Sequence, residues 1–343
     1  MKMKKNNGVG ILAVCGLFTI ILILPTMIVV PFTNSGGTEE VKETPQTEEV
    51  ASVEDSPFAV KVLRSTTKEI EEVPLESYVA RVVASEMPVN FEMEALKAQA
   101  LAARTYITRH LVRGEKVSPE ADVTDTVSHQ VYKDEDQLRS QWKDNYEENM
   151  KKITEAVNAT KGEIITYDQQ PITAAFFSTS NGYTENAGDY WEHDIPYLQS
   201  VESPWDQESP KFADQKIITV AELEQTLGVS IGTGIEQTTM TKTEGNRVDE
   251  VHFGDHTFSG REIREKIGLP SSDFSIKQKG EHVIFTTKGY GHGVGMSQYG
   301  ANGMAKSGKD YKEIIHHYYQ DTEIAPLSTQ TASLTIEKED PVN

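Results

Sequence analysis

Residues 10–31, GILAVCGLFTIILILPTMIVVP, contain no charged side chain. A helix of that length spans about 30 Å of hydrocarbon, so the run predicts a single transmembrane helix, with Pro25 as a possible kink. Lys2, Lys4 and Lys5 precede it and acidic residues follow. Positive charge stays on the cytoplasmic side, which places residues 1–9 in the cytoplasm and the rest outside it. Two cleavable signals compete with this reading. The apolar run is long for a secretory signal, and no small-x-small site closes it. A lipoprotein signal at Leu12-Ala13-Val14-Cys15 would put Cys15 inside the run rather than at its end. An uncleaved anchor fits best.

Residues 32–343 carry 30 basic and 53 acidic side chains. That balance excludes a general nucleic-acid binder, which needs a basic face against phosphates. A local basic pocket is still compatible with it. The one cysteine excludes an intrachain disulfide framework and a Cys-rich zinc site. Residues 32–57 hold seven carboxylates, one lysine and little apolar surface. They read as a disordered acidic linker, and 327–343 as a flexible tail.

The folded part is expected over 58–326, with 201–282 as a possible subdomain. FAVKVLR alternates as a strand. Helices are predicted over 74–87 and 91–113. Pro74 suits the first turn of one, and Pro88 stops it; Asn90 is the expected N-cap of the other. A polar helix near 136–159 follows. Then comes a hairpin through GEIITYDQQPITAAFFSTSNG, turning at residues 168–171. Short helices are expected at 219–228, 260–267, 297–306 and 310–319, with strands at 248–258, 274–277 and 283–287. Helices and strands interleave without a regular βαβ repeat. The fold class is therefore α+β, a packed helix pair with mixed or antiparallel sheets.

The first helix of the pair carries an apolar stripe through Leu75, Val79 and Val82 that continues onto Glu86. A carboxyl on a buried stripe, at the negative end of a helix dipole, is disfavoured as a carboxylate on both counts. Its pKa rises, as a general acid for glycosidic cleavage requires. The bland alternative is a Glu86 that frays into solvent or pairs with a cation. On the second helix Lys97 and Arg104 share a stripe opposite Leu96, Ala100, Ala103 and Ile107. They either line a groove beside Glu86 or form a solvated face.

Two loops are candidate ligand sites. FFSTSNGYTENAGDYW (176–191) turns from strand into small polar residues, including Ser178, Asn181, Gly182 and Tyr183. KGYGHGVGMSQYGANGM (288–304) is an open glycine backbone bearing His292 and Gly293. It feeds a helix that starts at Ser297, Gln298 and Tyr299. Its alternating glycines match neither G-x-G-x-x-G, nor the P-loop, nor G-x-S-x-G. It suits a polar or anionic ligand at a helix N-terminus. Nine histidines occur, but no H-E-x-x-H, and neither a metal nor a cofactor is expected.

Five segments together carry a resemblance: PLESYVARVVASEMP (74–88), ALKAQALAARTY (95–106), DTVSHQVY (125–132), FFSTSNGYTEN (176–186) and GYGHGVGMSQYGA (289–301). In this order they resemble the stage II sporulation protein D family, within the wider group that includes amidase enhancers. The resemblance implies a membrane-anchored lytic transglycosylase of peptidoglycan. Such an enzyme cleaves the MurNAc–GlcNAc linkage to a 1,6-anhydro end, prefers strands stripped of stem peptides, and thins the septal wall during engulfment from the mother-cell membrane. It implies Glu86 as catalytic acid and stage II sporulation proteins P and M as partners. On that reading the two loops cradle the sugars, and Lys97 and Arg104 meet the lactyl carboxylate of MurNAc. Relatives often carry Cys at the position of His129, so a Cys-based metal site known in some of them has no thiols here. Rival readings are a non-catalytic glycan-binding scaffold that activates an amidase, and a hydrolase pairing Glu86 with Glu185, Asp189 or Asp194.

Overall fold

The computed structural model describes residues 58–328 apart from 192, 232–234, 236 and 237. The expected membrane helix, the acidic linker and the tail beyond 328 lie outside the described residues. Among the described residues no helix is long and apolar enough to cross a membrane. The architecture is α+β, with several small sheets around helices.

Strand β1 (Ala59–Leu63) runs antiparallel to β2 (Ile70–Pro74). Its alternation buries Val60 and Val62. Helix α1 (Leu75–Glu86) starts directly after Pro74 and buries Leu75, Tyr78, Val79, Val82 and Val83. It ends because Pro88 disfavours helical backbone at Met87, which is extended at φ −117°, ψ 138°. Helix α2 (Met93–Val112) is the centre of the domain. Its run Ala98–Ala103 is fully buried, and small side chains let neighbours approach from several directions. Its N-cap is Glu92 rather than Asn90, and the Glu92 N–H donates to the Asn302 side chain at 2.8 Å. A long-range bond thus replaces the local cap.

The short β3 (Val123–Thr124) pairs parallel with β1. The single polar helix expected near 136–159 is two, α3 (Glu135–Trp142) and α4 (Tyr146–Ala159). They are separated where Lys143 adopts φ 50°. Strands β4 (Glu163–Tyr167) and β5 (Gln170–Pro171) form a hairpin whose turn residues Asp168 and Gln169 both have positive φ, as a two-residue turn of that hand requires. The chain then leaves this sheet. Strand β6 (Phe176–Phe177), expected to continue the hairpin, instead pairs parallel with a strand 120 residues on. A short α5 (Ala187–Trp191) follows.

Next comes a compact insertion with its own apolar cluster, centred on Leu223, Val251, Ile263, Val283 and Phe285. It comprises β7 (Ala213–Thr219), α6 (Val220–Leu227), β8 (Thr239–Lys242), β9 (Val248–Phe253), β10 (His256–Ser259), α7 (Gly260–Ile267), β11 (Phe274–Lys279) and β12 (His282–Lys288). The sheets are antiparallel, ordered β10-β9-β8 and β11-β12-β7. Its first and last residues, Ala213 and Lys288, are register partners across β7 and β12. The chain then returns to the helical core through β13 (Met296–Ser297), α8 (Gln298–Lys306), α9 (Tyr311–Tyr318) and β14 (Glu323–Pro326), which pairs with β4. Leu327, read from sequence as tail, is buried and its N–H donates to the Gly162 carbonyl at 2.7 Å.

The parallel β6–β13 pair holds the glycine loop against the strand ending at Phe177. Gly295 has φ 80°, and an added Cβ would collide with the Ala175 carbonyl oxygen. At Gly308, φ 87°, an added Cβ meets nothing within 4 Å. Gly308→Ala should therefore cost only the backbone strain, about 1 kcal/mol, and Gly295→Ala clearly more. Urea denaturation would rank the two. Equal losses would mean that the loop yields without resistance.

Candidate active site

The helical core and the insertion flank a cleft of about 1010 Å³. One wall is the end of α1 and the turn after it, residues 84–89, with Tyr106, residues 127–130 and Trp142. The floor is the strand at 173–178. The far wall is Tyr190, Trp191, Lys211, Arg261, Arg264 and residues 290–292, with Gln298 and Tyr299 closing the end.

Glu86 is half-buried in the near wall, at the end of α1. Loss of solvent raises its carboxyl pKa. The Val131 N–H, which donates to Oε1 at 2.7 Å, and the charge of Lys133 oppose that rise without cancelling it. Among the described residues it is the sole Asp or Glu lining the cleft. The folded state thus holds the Glu86 proton more tightly than the unfolded chain does, and stability falls as pH rises through the window between the two values. Glu86→Gln escapes that fall. Its stability relative to wild type should grow from a low-pH baseline as pH climbs past about 4.5, the ordinary value, and level off above the raised one. Urea titrations across pH check this; a pH-independent difference would show that the carboxyl is not desolvated.

Across the cleft, His292 is ringed by Phe177, Tyr190 and Trp191, with centroids 5.7, 5.6 and 6.2 Å away. Burial, then the charges of Arg264 and Arg247, push its pKa down to about 4, so the ring is neutral at physiological pH. Its Nδ1 accepts from the Val294 N–H at 3.1 Å, which leaves the proton on Nε2.

Of the residues expected in the site, Glu86, Ser178, His292, Gln298 and Tyr299 line the cleft. Tyr299 is held edge-on to Phe91, and the buried Gln298 donates to Gln99. The others support the site from behind. Asn181 donates to the Gly245 carbonyl and to Asp273, tying its loop to the insertion. Gly182 supplies a φ of 114° for that turn, and Tyr183 is exposed beside it. Gly293 leaves room for the Arg247 guanidinium. Ser297 caps α8 and bonds the buried Asp206. Asp206 also accepts from the Ser180 N–H, the Ser180 hydroxyl and the Ser203 hydroxyl, so one carboxylate joins three segments.

The two cations expected beside Glu86 lie elsewhere. Arg104 is wholly buried and clasps Glu76 of α1, with Nη2–Oε2 at 2.7 Å and Nε–Oε1 at 2.9 Å. It also reaches the Val157 carbonyl on α4 and the Glu163 carbonyl on β4. Lys97 pairs with Glu94 at 2.6 Å on its own helix. Neither lines the cleft. The seven-residue spacing does put both on one stripe, but α2 is enclosed on nearly every side, so that stripe faces a helix rather than a groove. The cations actually present are Lys211, Arg261 and Arg264, and the aromatic lining comes from Tyr106, Trp142, Tyr190, Trp191 and Tyr290. The run Asp189-Tyr190-Trp191 was the one sequence signal for this wall.

The alternative second carboxylates are also displaced. Glu185 is buried, accepts from Thr243 at 2.8 Å and faces Arg247 at 3.7 Å. Asp189 accepts from Asn186, and neither it nor Asp194 lines the cleft. Among the described residues no group of three or more His, Cys, Asp or Glu is arranged to hold a metal.

Residues 63–167, which build α1, α2 and the Glu86 wall, match the family model described as stage II sporulation protein. The stage II sporulation protein D of Bacillus subtilis (strain 168) is 48% identical over 332 residues, covering 94% of this chain and 96% of that protein. The chain belongs to the stage II sporulation protein D family. The same family protein of Bacillus amyloliquefaciens is 47% identical over 324 residues, covering 90% of this chain and 94% of the relative. A Bacillus subtilis protein named amidase enhancer is 28% identical over 297 residues, covering 70% of this chain and 39% of that protein.

Proposed function

We propose that this sporulation-family protein is a peptidoglycan lytic transglycosylase. It acts on strands already stripped of stem peptides and cuts the MurNAc–GlcNAc bond with Glu86. The observation that carries the proposal is a desolvated carboxyl, the sole one among the described residues lining an aromatic-walled cleft. Most glycosidases need two carboxyl groups, about 5–5.5 Å apart when retaining and about 6.5–9.5 Å apart when inverting. A lytic transglycosylase needs one. Glu86, protonated, gives its proton to the leaving glycosidic oxygen as the C1–O bond breaks. The resulting carboxylate takes the proton of the sugar 6-hydroxyl as that oxygen closes on C1. The products are a 1,6-anhydro end and a free hydroxyl, with no water consumed and Glu86 protonated again.

Family membership supports a cell-biological reading beside the chemical one. The uncharged run 10–31 anchors the chain in the mother-cell membrane with residues 58–328 facing the septal wall. There the enzyme thins the wall during engulfment, beside stage II sporulation proteins P and M. The acidic linker over 32–57 gives the catalytic head reach.

Digestion of denuded glycan strands by the purified full chain, with products resolved by mass spectrometry, tests the chemistry. Anhydro-ended fragments are expected. Reducing ends would point to a hydrolase. Binding without release would favour the second reading, a glycan-binding activator of an amidase, which the relative named amidase enhancer supports.

A further inference from the structure

Arg264 sits on α7 with its Nε buried and without a hydrogen-bond partner among the described residues. Its Nη1 makes one long contact, 3.4 Å, to the Tyr190 hydroxyl. Arg264 as a whole is half-buried, so the unpartnered Nε is the one nitrogen that water does not reach, and a ligand in the cleft can complete the rest of the fork. Arg264 faces the cleft, and so do Arg261, 4.6 Å over the Tyr190 ring, and Lys211, 4.6 Å over the Tyr290 ring. Among the described residues these three and Glu86 are the only Lys, Arg, Asp or Glu lining it. Arg261 is paired with Glu265 at 2.9 Å, so Lys211 and Arg264 carry the positive excess of the far wall, on a chain whose net charge is −20. That charge also reaches His292, which stays neutral partly because of Arg264.

We infer that Arg264 is the centre of a carboxylate subsite, which reads the free lactyl carboxylate of a muramic acid residue stacked on the Tyr190–Trp191 wall. The inference rests on the glycan-cleaving reading of this cleft. It deepens that reading by assigning the specificity to a named residue on the insertion, across the cleft from the acid. The planar fork of a guanidinium matches a carboxylate in two parallel hydrogen bonds. An amide in the same place carries no charge and turns an N–H toward the guanidinium. In an intact wall the lactyl group is an amide, joined to the stem peptide. The substrate must therefore be supplied by an amide hydrolysis, in which water adds across that bond, the peptide leaves as its amine and the lactyl carboxylate is freed. Preference for stripped strands then needs no steric exclusion of peptides.

The test uses full-length E86Q protein in detergent, which binds without cutting. Two probes are compared: denuded strands, and the same strands with every lactyl carboxylate converted to a primary amide. E86Q should bind the carboxylate strands about 10- to 100-fold more tightly, the range for charge-assisted hydrogen bonds. In E86Q/R264Q the two strands should bind alike, through loss of affinity for the carboxylate form. Equal binding of both strands by E86Q overturns the inference, and so does a preference that survives R264Q. If R264Q does not fold, R264K replaces it. Without the fork the preference should shrink at least threefold, and an unchanged preference overturns the inference. Failure of E86Q to bind either strand, with no anhydro ends from wild type, would remove the glycan reading itself. Binding without discrimination would remove only the subsite.

Discussion

Glu86→Gln should lower turnover on denuded glycan by at least about 100-fold while leaving strand binding intact. Gln keeps the shape and still accepts from the Val131 N–H, but it has no proton to give the leaving oxygen and no carboxylate to recover one. General acid–base assistance is worth about 10²–10⁴-fold, and in the proposed mechanism one group serves both steps. No other described carboxyl lines the cleft to substitute for it. The carboxyl's raised pKa also sets a pH dependence for wild type. The acid form is required at bond cleavage, so kcat/KM should fall as pH rises through the free-enzyme value of Glu86, above the usual glutamate range. Single-turnover digestion with products resolved by mass would measure both effects. Abundant anhydro-ended fragments from the Gln variant at near wild-type rate would remove Glu86 from the chemistry.

Arg104→Ala should unfold or nearly unfold the domain rather than weaken glycan binding. The guanidinium and its partner Glu76 are both buried. Removing one leaves an uncompensated charge inside the helix cluster, a loss of about 3–5 kcal/mol, which is a large share of the stability of a typical domain. Carbonyls on α4 and β4 lose their donor at the same time. The double change E76L/R104M removes both charges and should recover much of the loss, because a buried ion pair is often no better than packed apolar side chains. Urea unfolding of E76L, R104M and E76L/R104M beside wild type gives the cycle. A stable, fully folded Arg104→Ala protein with a selective loss of glycan affinity would return Arg104 to the binding site.

These two residues show where the sequence was legible. Glu86 could be found because α1 has one apolar stripe and one strong stop at Pro88, so its face and its last turn were both readable. Arg104 was placed in the wrong surroundings because α2 has apolar or small residues on most sides. A periodicity argument needs a polar face to orient against, and a nearly enclosed helix offers none. Its partner, Glu76, lies 28 positions earlier on α1, and no local spacing links the two. The hairpin turn, expected over 168–171 and formed by Asp168 and Gln169, and the helices near 219, 260 and 310 were readable locally. The pairing of β6 with β13 was not, since it depends on two residues of each strand meeting across 120 positions. Nor was the cationic wall, because Lys211, Arg261 and Arg264 come from unrelated local contexts and converge only through the fold.

The pairing of Ala213 with Lys288 carries a further consequence. A segment whose two ends are register neighbours and whose apolar residues form their own cluster can be exchanged as a cassette between hosts that keep Glu185, which faces its buried Arg247, because such a host sees the same gap before and after exchange. The acid is encoded outside that cassette, and Arg261 and Arg264 inside it. On the proposed function, transplanting residues 213–288 between relatives should change which glycan charges are read and leave Glu86 in place.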